Sequence, residues 1–359
     1  MSETTLAAET PRPALTEALR ESPFMRACRR EPVPRTPVWL MRQAGRYMRE
    51  YREVRARHTF LEMCKKPEVA SEVTVYAAHR LNVDAAIIFA DILLITEPLG
   101  LELEFAKGEG PVIHNPVRHA DDVKNLREFE DAAALDYVYE AIRVTRRELR
   151  PDIPLIGFAG APFTLASYII EGGGSKNYLH TKRLMHTDAG AWHALMGLIS
   201  RALPAYLNAQ VAAGAQAVQL FDSWVGALGP DEYREFVLPH TRAVIRGVTP
   251  GVPVLHFGTG TAALLELMRE AGGDVIGLDW RVRLDEAWAR LGDVAVMGNF
   301  DPALLFTNPE VVRRHAQKIL AQADGRPGHV FNLGHGIMPE TPVENVVALV
   351  EAVHELSAR

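Results

Sequence analysis

Ten arginines stand between residues 26 and 57 (Arg26, Arg29, Arg30, Arg35, Arg42, Arg46, Arg49, Arg52, Arg55 and Arg57), against three acids, Glu31, Glu50 and Glu53. The whole chain carries a formal net charge of −6, so this is a local cationic block in an acidic protein. Such a block points to a specific anionic ligand rather than to general adhesion to polyanions. A guanidinium is planar and always charged, and it can hold a carboxylate or phosphate through two parallel hydrogen bonds. Arg42 and Arg46 are the pair most suited to this. They flank a turn, Gln43-Ala44-Gly45, where the apolar run Val38-Trp39-Leu40-Met41 ends, and ligand contacts concentrate in such loops. Arg49, Arg52, Arg55 and Arg57 follow on a helix and read as its solvated, salt-bridged face.

Other candidates stand singly. Asp91 follows Ala85–Ala90 (AAIIFA) and precedes ILLITEPLG, a lone carboxylate in apolar sequence. A buried acid is expensive unless something satisfies it, so Asp91 either pairs within the fold or serves a site. His335 lies between Gly334 and Gly336, where backbone can come close to a ligand or the histidine can simply be satisfied in a loop. Tyr168 reads equally as core packing or as a ligand contact, and Phe158 and Phe221 as core or as apolar walls. Ser223, after Asp222, resembles no nucleophile elbow and suits hydrogen bonding to a ligand. Glu171-Gly172-Gly173-Gly174 reads as a flexible loop, either a lid or a plain turn. His114, His119, His180 and His186 look like surface histidines. No HxxxH or CxxC spacing occurs, so no built-in metal site is expected.

The elements that must position these residues repeat with one rhythm. Short apolar, partly β-branched runs end in Gly, Asp, Asn or His and are separated by helix-length amphipathic stretches. The runs are 37–41, 85–91, 154–160, 217–223, 252–258, 275–280, 295–301 and 329–335. The helical stretches include 67–80, 135–150, 188–213, 231–246, 261–271, 285–291, 309–322 and 342–356. This alternation implies parallel βαβ units. Eight of them point to an α/β fold of the closed (β/α)8 TIM-barrel type with parallel strands, an open doubly wound sheet being the alternative. In such a barrel the active site lies at the carboxyl ends of the strands. Those ends carry Arg42, Gln43 and Arg46; Asp91; Phe158 and Tyr168; Phe221, Asp222 and Ser223; His256; Asp279 and Trp280; Asn299 and Asp301; and His335. No dinucleotide or Walker fingerprint follows any run.

Composition is that of an ordinary soluble globular chain. The chain has 359 residues, 48% of them hydrophobic and 23% charged, with ample core for one barrel. Residues 1–20 read as a mobile N-terminal tail leading into a first helix, and 21–359 as a single catalytic domain. The start lacks a signal-peptide pattern, and no apolar run reaches the roughly 18 residues of a membrane helix. Two cysteines, Cys28 and Cys64, form no disulfide framework. A cytoplasmic location without nucleic-acid or membrane partners is the expectation.

Five stretches, PVWLMRQAGRYMREYR, IIFADILLITEPLG, GFAGAPFTLASYIIEGGGSKNY, QLFDSWVG and FNLGHGIMPETPVENV, together resemble the uroporphyrinogen decarboxylase family. The resemblance runs from the first strand to the last helix. It implies a single barrel, a homodimer, and a cytoplasmic step of haem biosynthesis without cofactor or metal. The activity it implies is conversion of uroporphyrinogen III to coproporphyrinogen III with loss of four CO2. The family's substrate-binding residues fall on Arg42, Gln43, Ala44, Gly45, Arg46, Asp91, Tyr168, Ser223 and His335, with no departure at these positions.

The residues suit that chemistry. The substrate carries many carboxylates, which match the arginine block, and inward-pointing pyrrole N–H groups, which an ionised Asp91 can accept. Protonating a pyrrole carbon turns the ring into an electron sink, and Asp91 can offset the developing positive charge. The proton donor is open between Arg42, Tyr168, His335 and a water. Two other readings compete. A zinc-dependent, cobalamin-linked methyltransferase of the same barrel superfamily needs Cys and His ligands late in the barrel, where no cysteine stands. A non-enzymatic tetrapyrrole-binding protein would keep Arg42 and Arg46 without needing Asp91.

Overall fold

Parallel strands covered on both faces must be apolar throughout, and the short runs of this chain obey that requirement. The computed structural model describes residues 15–106 and 110–359. Among them are β1 (Ala86–Ile87), β2 (Leu103–Ala106), β3 (Gly110–Ile113), β4 (Leu155–Gly160), β5 (Ala217–Asp222), β6 (Val254–Gly258), β7 (Val275–Gly277), β8 (Ala295–Met297) and β9 (His329–Val330). Seven of these form one sheet in the order β1-β4-β5-β6-β7-β8-β9. Every pair in it is parallel, with registers such as Phe158 opposite Gln219, Phe221 opposite Phe257 and Val296 opposite His329. Helices joining the strands cover the outside. Gly157 faces the helix Ala189–Ala213, whose Gln210 bonds both the N–H and the carbonyl of Phe158, each at 2.9 Å. Strand alternation then turns Phe158 into the barrel interior.

The first expected strand, 37–41, is not a regular strand. It contributes one parallel bridge, Val38 to Phe331, yet it closes the circle between β9 and β1. On one side Phe331 N–H donates to Pro37 O at 2.8 Å and Trp39 N–H to Phe331 O at 3.3 Å; on the other Asp84 N–H donates to Val38 O at 2.8 Å. The irregularity has a cause: side chains replace missing ladder partners. The N–H of Val38 goes to the Asp84 carboxylate, that of Leu40 to Gln43 Oε1 and that of Met41 to Asn332 Oδ1. The expected helix after the turn runs from Arg49 to Arg57.

Three other differences have local reasons. The fold begins before residue 21: Thr16 caps a helix at Glu17–Arg20, and Ser22 caps the next, Pro23–Cys28, which buries Phe24 and Met25. Residues 1–14 of the expected tail lie outside the described residues. The stretch 231–246 breaks into Pro230–Phe236 and Leu238–Arg246 because Pro239 needs the first turn of a new helix. The glycine run after Glu171 is pinned rather than free. Gly172 (φ 78°) caps the helix Pro162–Glu171, Gly173 bridges Val112 of the antiparallel β2–β3 hairpin, and Glu171 Oε1 accepts both the N–H and the hydroxyl of Thr181. That hairpin has no counterpart among the expected elements.

Asp84 is the hub of the closure. It is buried, and besides Val38 N–H its carboxylate accepts Arg35 Nη2 at 2.7 Å and His354 Nε2 at 2.8 Å from the helix Val343–Ser357. Burial alone would raise its pKa, but the bonds from His354, Arg35 and Val38 outweigh that and hold it below the ordinary 3.8. Its contribution is therefore present above that pH and lost as pH falls through the folded value. Asp84→Ala should cost about 2–3 kcal/mol near pH 7, because a backbone donor and a cation lose their partner. Urea unfolding checks this, and the gap from the parent should narrow below pH 3.8.

Candidate active site

Because Met41 is fixed on both sides, by its N–H to Asn332 and by its carbonyl to Ile337 N–H at 3.0 Å, the next residue must leave the barrel wall at its mouth. Arg42 does so with φ 62°, a left-handed conformation that costs a non-glycine residue about 1–2 kcal/mol. Such strain is kept where the surrounding structure enforces it. Here the enforcement includes Gly336: a Cβ at that position would collide with Cδ and Cγ of the Arg42 side chain. Gly334 is likewise required by protein, since a Cβ there would meet the backbone of Trp280. The glycines around His335 thus admit Arg42 and the 279–280 backbone, whereas their spacing in the sequence suggested close approach of a ligand.

The turn itself is braced from within. Gln43 is buried; its Oε1 takes Leu40 N–H and its Nε2 donates to Ala85 O at 3.4 Å. Its side chain is thereby committed to tying the turn to the neck of β1 rather than facing out of the mouth. Tyr47 OH donates to Gln43 O at 2.6 Å, and Arg52 Nη1 donates to the carbonyls of Arg46 and Tyr47, each at 2.9 Å. Arg52 is exposed, as its place on the helix suggests, and it also braces the turn. Arg42 and Arg46 are exposed, and among the described residues neither forms an ion pair. Ala44 is half-buried beside them, and Gly45 sits where a Cβ would press on Arg42 O at 3.1 Å.

Asp91 stands beyond β1. One carboxylate oxygen accepts Leu93 N–H at 2.9 Å, and among the described residues no other group donates to the carboxylate. Desolvation pushes its pKa up to about 6, against the opposing pull of that hydrogen bond and of the Arg42 charge. Arg42 also acts on Tyr168 and His335, so the four residues share one electrostatic neighbourhood. Burial and the field of Arg42 push the His335 imidazole down to about 4, leaving it neutral at pH 7. Burial, with the nearby Asp91 charge, raises the Tyr168 phenol far above its usual value. Its ring is half-buried and stacks on Trp224, centroids 3.8 Å apart.

The other expected residues stand at the neighbouring strand ends, some toward the mouth and some within the scaffold. Phe158 and Phe221 meet edge to face at 5.5 Å, Phe158 buried and Phe221 half-buried, with Phe257 beyond at 6.2 Å. Ser223 is half-buried just after β5. Asp279 is buried and bound to Arg281, and Asn299 bonds the carbonyls of Asp279 and Val282, so these strand ends serve the scaffold. His256 points outward to Gly272 O. The sequence reading missed Thr164, Tyr178 and Trp224; an aromatic residue directly after Asp222-Ser223 was the available signal. Among the described residues no group of three or more His, Cys, Asp or Glu is placed to hold a metal ion. Burial pushes the thiols of Cys28 and Cys64 far up, away from the thiolate form a metal ligand needs. The arrangement is a mouth with free guanidinium groups at its edge, one desolvated carboxylate inside, and aromatic walls.

A family model described as uroporphyrinogen decarboxylase (URO-D) matches residues 19–356. A uroporphyrinogen decarboxylase of Carboxydothermus hydrogenoformans is 59% identical over 337 residues, covering 93% of this chain and 96% of the relative. One from Sorangium cellulosum is 60% identical over 335 residues, with 93% and 96% covered. Among solved structures, a methyltransferase from Methanosarcina mazei superposes with a TM-score of 0.75 at 21% identity, covering 93% of this chain and 97% of that one. At that identity the likeness concerns the barrel fold alone.

The Asp91 environment has a cost that stability measurements can read. Its folded pKa of about 6 lies above the ordinary 3.8, so ionising it at higher pH favours the unfolded chain. Asp91→Asn removes that charge. The variant should therefore melt at a higher temperature than the parent at pH 8, and the difference should shrink as pH falls toward 4. Equal melting temperatures at pH 8 would show that the carboxylate is not desolvated.

Proposed function

The chain belongs to the uroporphyrinogen decarboxylase family, and from that premise we propose how its mouth performs the reaction. The enzyme is a carboxy-lyase that removes the acetate carboxyls of uroporphyrinogen as CO2. The observation that carries the mechanism is Asp91: a desolvated carboxylate with a single donor among the described residues, lying in the field of the Arg42 guanidinium. Its accepting capacity suits the convergent N–H groups of a cyclic tetrapyrrole, and binding them lowers the cost of its ionised form. Arg42 and Arg46 meet substrate carboxylates at the edge, Tyr168, Ser223 and His335 bond polar groups of the macrocycle, and Phe158 and Phe221 pack its apolar surface.

Decarboxylation then follows from the substrate's own electronics. A proton adds to the pyrrole α-carbon next to the acetate-bearing carbon, and the ring becomes a cation whose C=N unit is conjugated with the carbon that carries the acetate. The C–COO⁻ bond breaks, its electron pair neutralises the ring and CO2 leaves; loss of the ring proton and protonation of the exocyclic carbon give the methyl product. Asp91 keeps its negative charge and stabilises the cation in a site of low dielectric. The proton comes from Arg42, Tyr168, His335 or a water. His335 is neutral at pH 7 and so carries no imidazolium proton, and the Tyr168 phenol, pushed far up by burial, stays protonated through the neutral range. The ring supplies the electron sink, so the proposed reaction uses no cofactor. The III isomer as substrate, a homodimer and a cytoplasmic location, all implied by the resemblance, belong to this proposal. No helix among the described residues is long and apolar enough to cross a membrane.

Single-turnover CO2 release tests these roles. Asp91→Asn should lose roughly 10²–10³ in rate with its fold intact, while Asp91→Glu retains charge and part of the activity. Arg42→Ala should raise KM or lower turnover without changing the melting temperature much. In the parent, kcat/KM should fall on the acid side with an apparent pKa near 6, that of the free enzyme's Asp91. A folded Asp91→Asn enzyme within a few-fold of the parent removes the aspartate from the mechanism.

A further inference from the structure

Tyr168 reaches the mouth from the helix Pro162–Glu171, and among the described residues none forms a hydrogen bond with its hydroxyl. What fixes its ring is Trp224, parallel within 28° at 3.8 Å. Trp224 in turn belongs to a short connection after β5 that could adopt many conformations. Two buried polar residues restrict it. Thr164, on the same helix as Tyr168, donates its hydroxyl to Asp222 Oδ1 at 2.9 Å and accepts Trp224 N–H at 3.3 Å through the same oxygen. Both Thr164 and Asp222 are fully buried. One hydroxyl thus joins the end of β5, the peptide that carries Ser223 and Trp224, and the helix that carries Tyr168. Tyr178 closes the far side of Trp224, edge to face at 5.3 Å.

The rest of this cluster is unusual for a purely structural one. Asp222 Oδ2 is buried without a partner among the described residues, an arrangement that costs free energy and that a core would normally replace with apolar groups. Burial pushes the Asp222 carboxyl up to about 7, only partly offset by the two bonds with Thr164. A costly group retained beside a site is consistent with a geometric duty there.

We infer that Thr164 and Asp222 are positioning residues for the decarboxylation, clamping Trp224 so that its indole sets the orientation of the Tyr168 hydroxyl at the mouth. Neither touches substrate. The inference rests on the reading that Tyr168 contacts the substrate or its reacting carbon. The clamp acts through one hydroxyl that must donate and accept simultaneously, so serine can replace threonine and valine cannot.

A double-mutant cycle in the full-length protein tests it, with Tyr168→Phe, Thr164→Val and their combination assayed for CO2 release from uroporphyrinogen. Circular dichroism and melting temperature are recorded for each. Thr164→Val should lower kcat roughly tenfold, the scale of coupling between neighbouring groups, with KM changed less than kcat. Thr164→Ser should restore most of it, and Trp224→Leu should reproduce the Thr164→Val loss. In the Tyr168→Phe background Thr164→Val should cost less than about twofold, because the hydroxyl it aims is gone. Equal loss in both backgrounds, or no rescue by serine, overturns the clamp while leaving the role of Tyr168 standing. A Tyr168→Phe enzyme at parental rate overturns the role of Tyr168, and the clamp with it. Should Thr164→Val fail to fold, the Trp224→Leu and Tyr168→Phe cycle decides by the same criterion.

Discussion

The site depends on how the barrel closes. Segment 37–41 makes one bridge pair, with Phe331, and would be a weak seam if backbone alone held it. Instead Asp84, Gln43 and Asn332 supply acceptors for three of its N–H groups. Each of these side chains ties the seam to a different neighbour: Asp84 to Arg35 and His354, Gln43 to Ala85, and Asn332 to Met297 and Leu333. Because the seam is fixed up to Met41, Arg42 must turn through a left-handed conformation into the mouth. The exposed guanidinium edge is thus a consequence of closure.

Two opposite charges are then treated differently. The guanidinium groups of Arg42 and Arg46 stay exposed, where an unpaired charge costs little. Asp91 is desolvated, and its raised pKa is the expression of that cost. A strong ion pair between them would have relieved the carboxylate and also spent its accepting capacity. The structure leaves them unpaired, with Arg42 near enough to moderate Asp91 and also to depress His335. The mouth therefore holds a separated positive edge and negative interior, complementary to a ligand with peripheral carboxylates and central N–H donors.

Much of this was legible in the sequence, for identifiable reasons. Buried parallel strands read as apolar runs, so the strand ends, and Arg42, Asp91, Phe158, Phe221 and His335 upon them, could be located by pattern alone. The reading failed where side chains substitute for backbone. Val38–Met41 looked like an ordinary strand because nothing local reveals that Asp84 and Asn332, the latter nearly three hundred residues away, complete its hydrogen bonds. Nor does anything local reveal that Gln43 is tied to Leu40 and Ala85, or that exposed Arg52 also reaches the carbonyls of Arg46 and Tyr47. Gly334 and Gly336 were correctly marked as positions of close approach, but what approaches them is Trp280 and Arg42. Trp224 and Thr164 were overlooked since their importance is a stack and a shared hydroxyl, which leave no periodic trace.

The central claim is that this mouth drives decarboxylation with its own residues and the substrate's pyrrole rings. The most direct measurement is to strip the purified protein with a chelator, incubate it anaerobically with uroporphyrinogen, and count CO2 alongside the seven-, six-, five- and four-carboxyl products. The account requires four CO2 per macrocycle and accumulation of the four-carboxyl product without added metal or cofactor. Binding without CO2 release, or release that appears only when zinc or a cofactor is supplied, would contradict it.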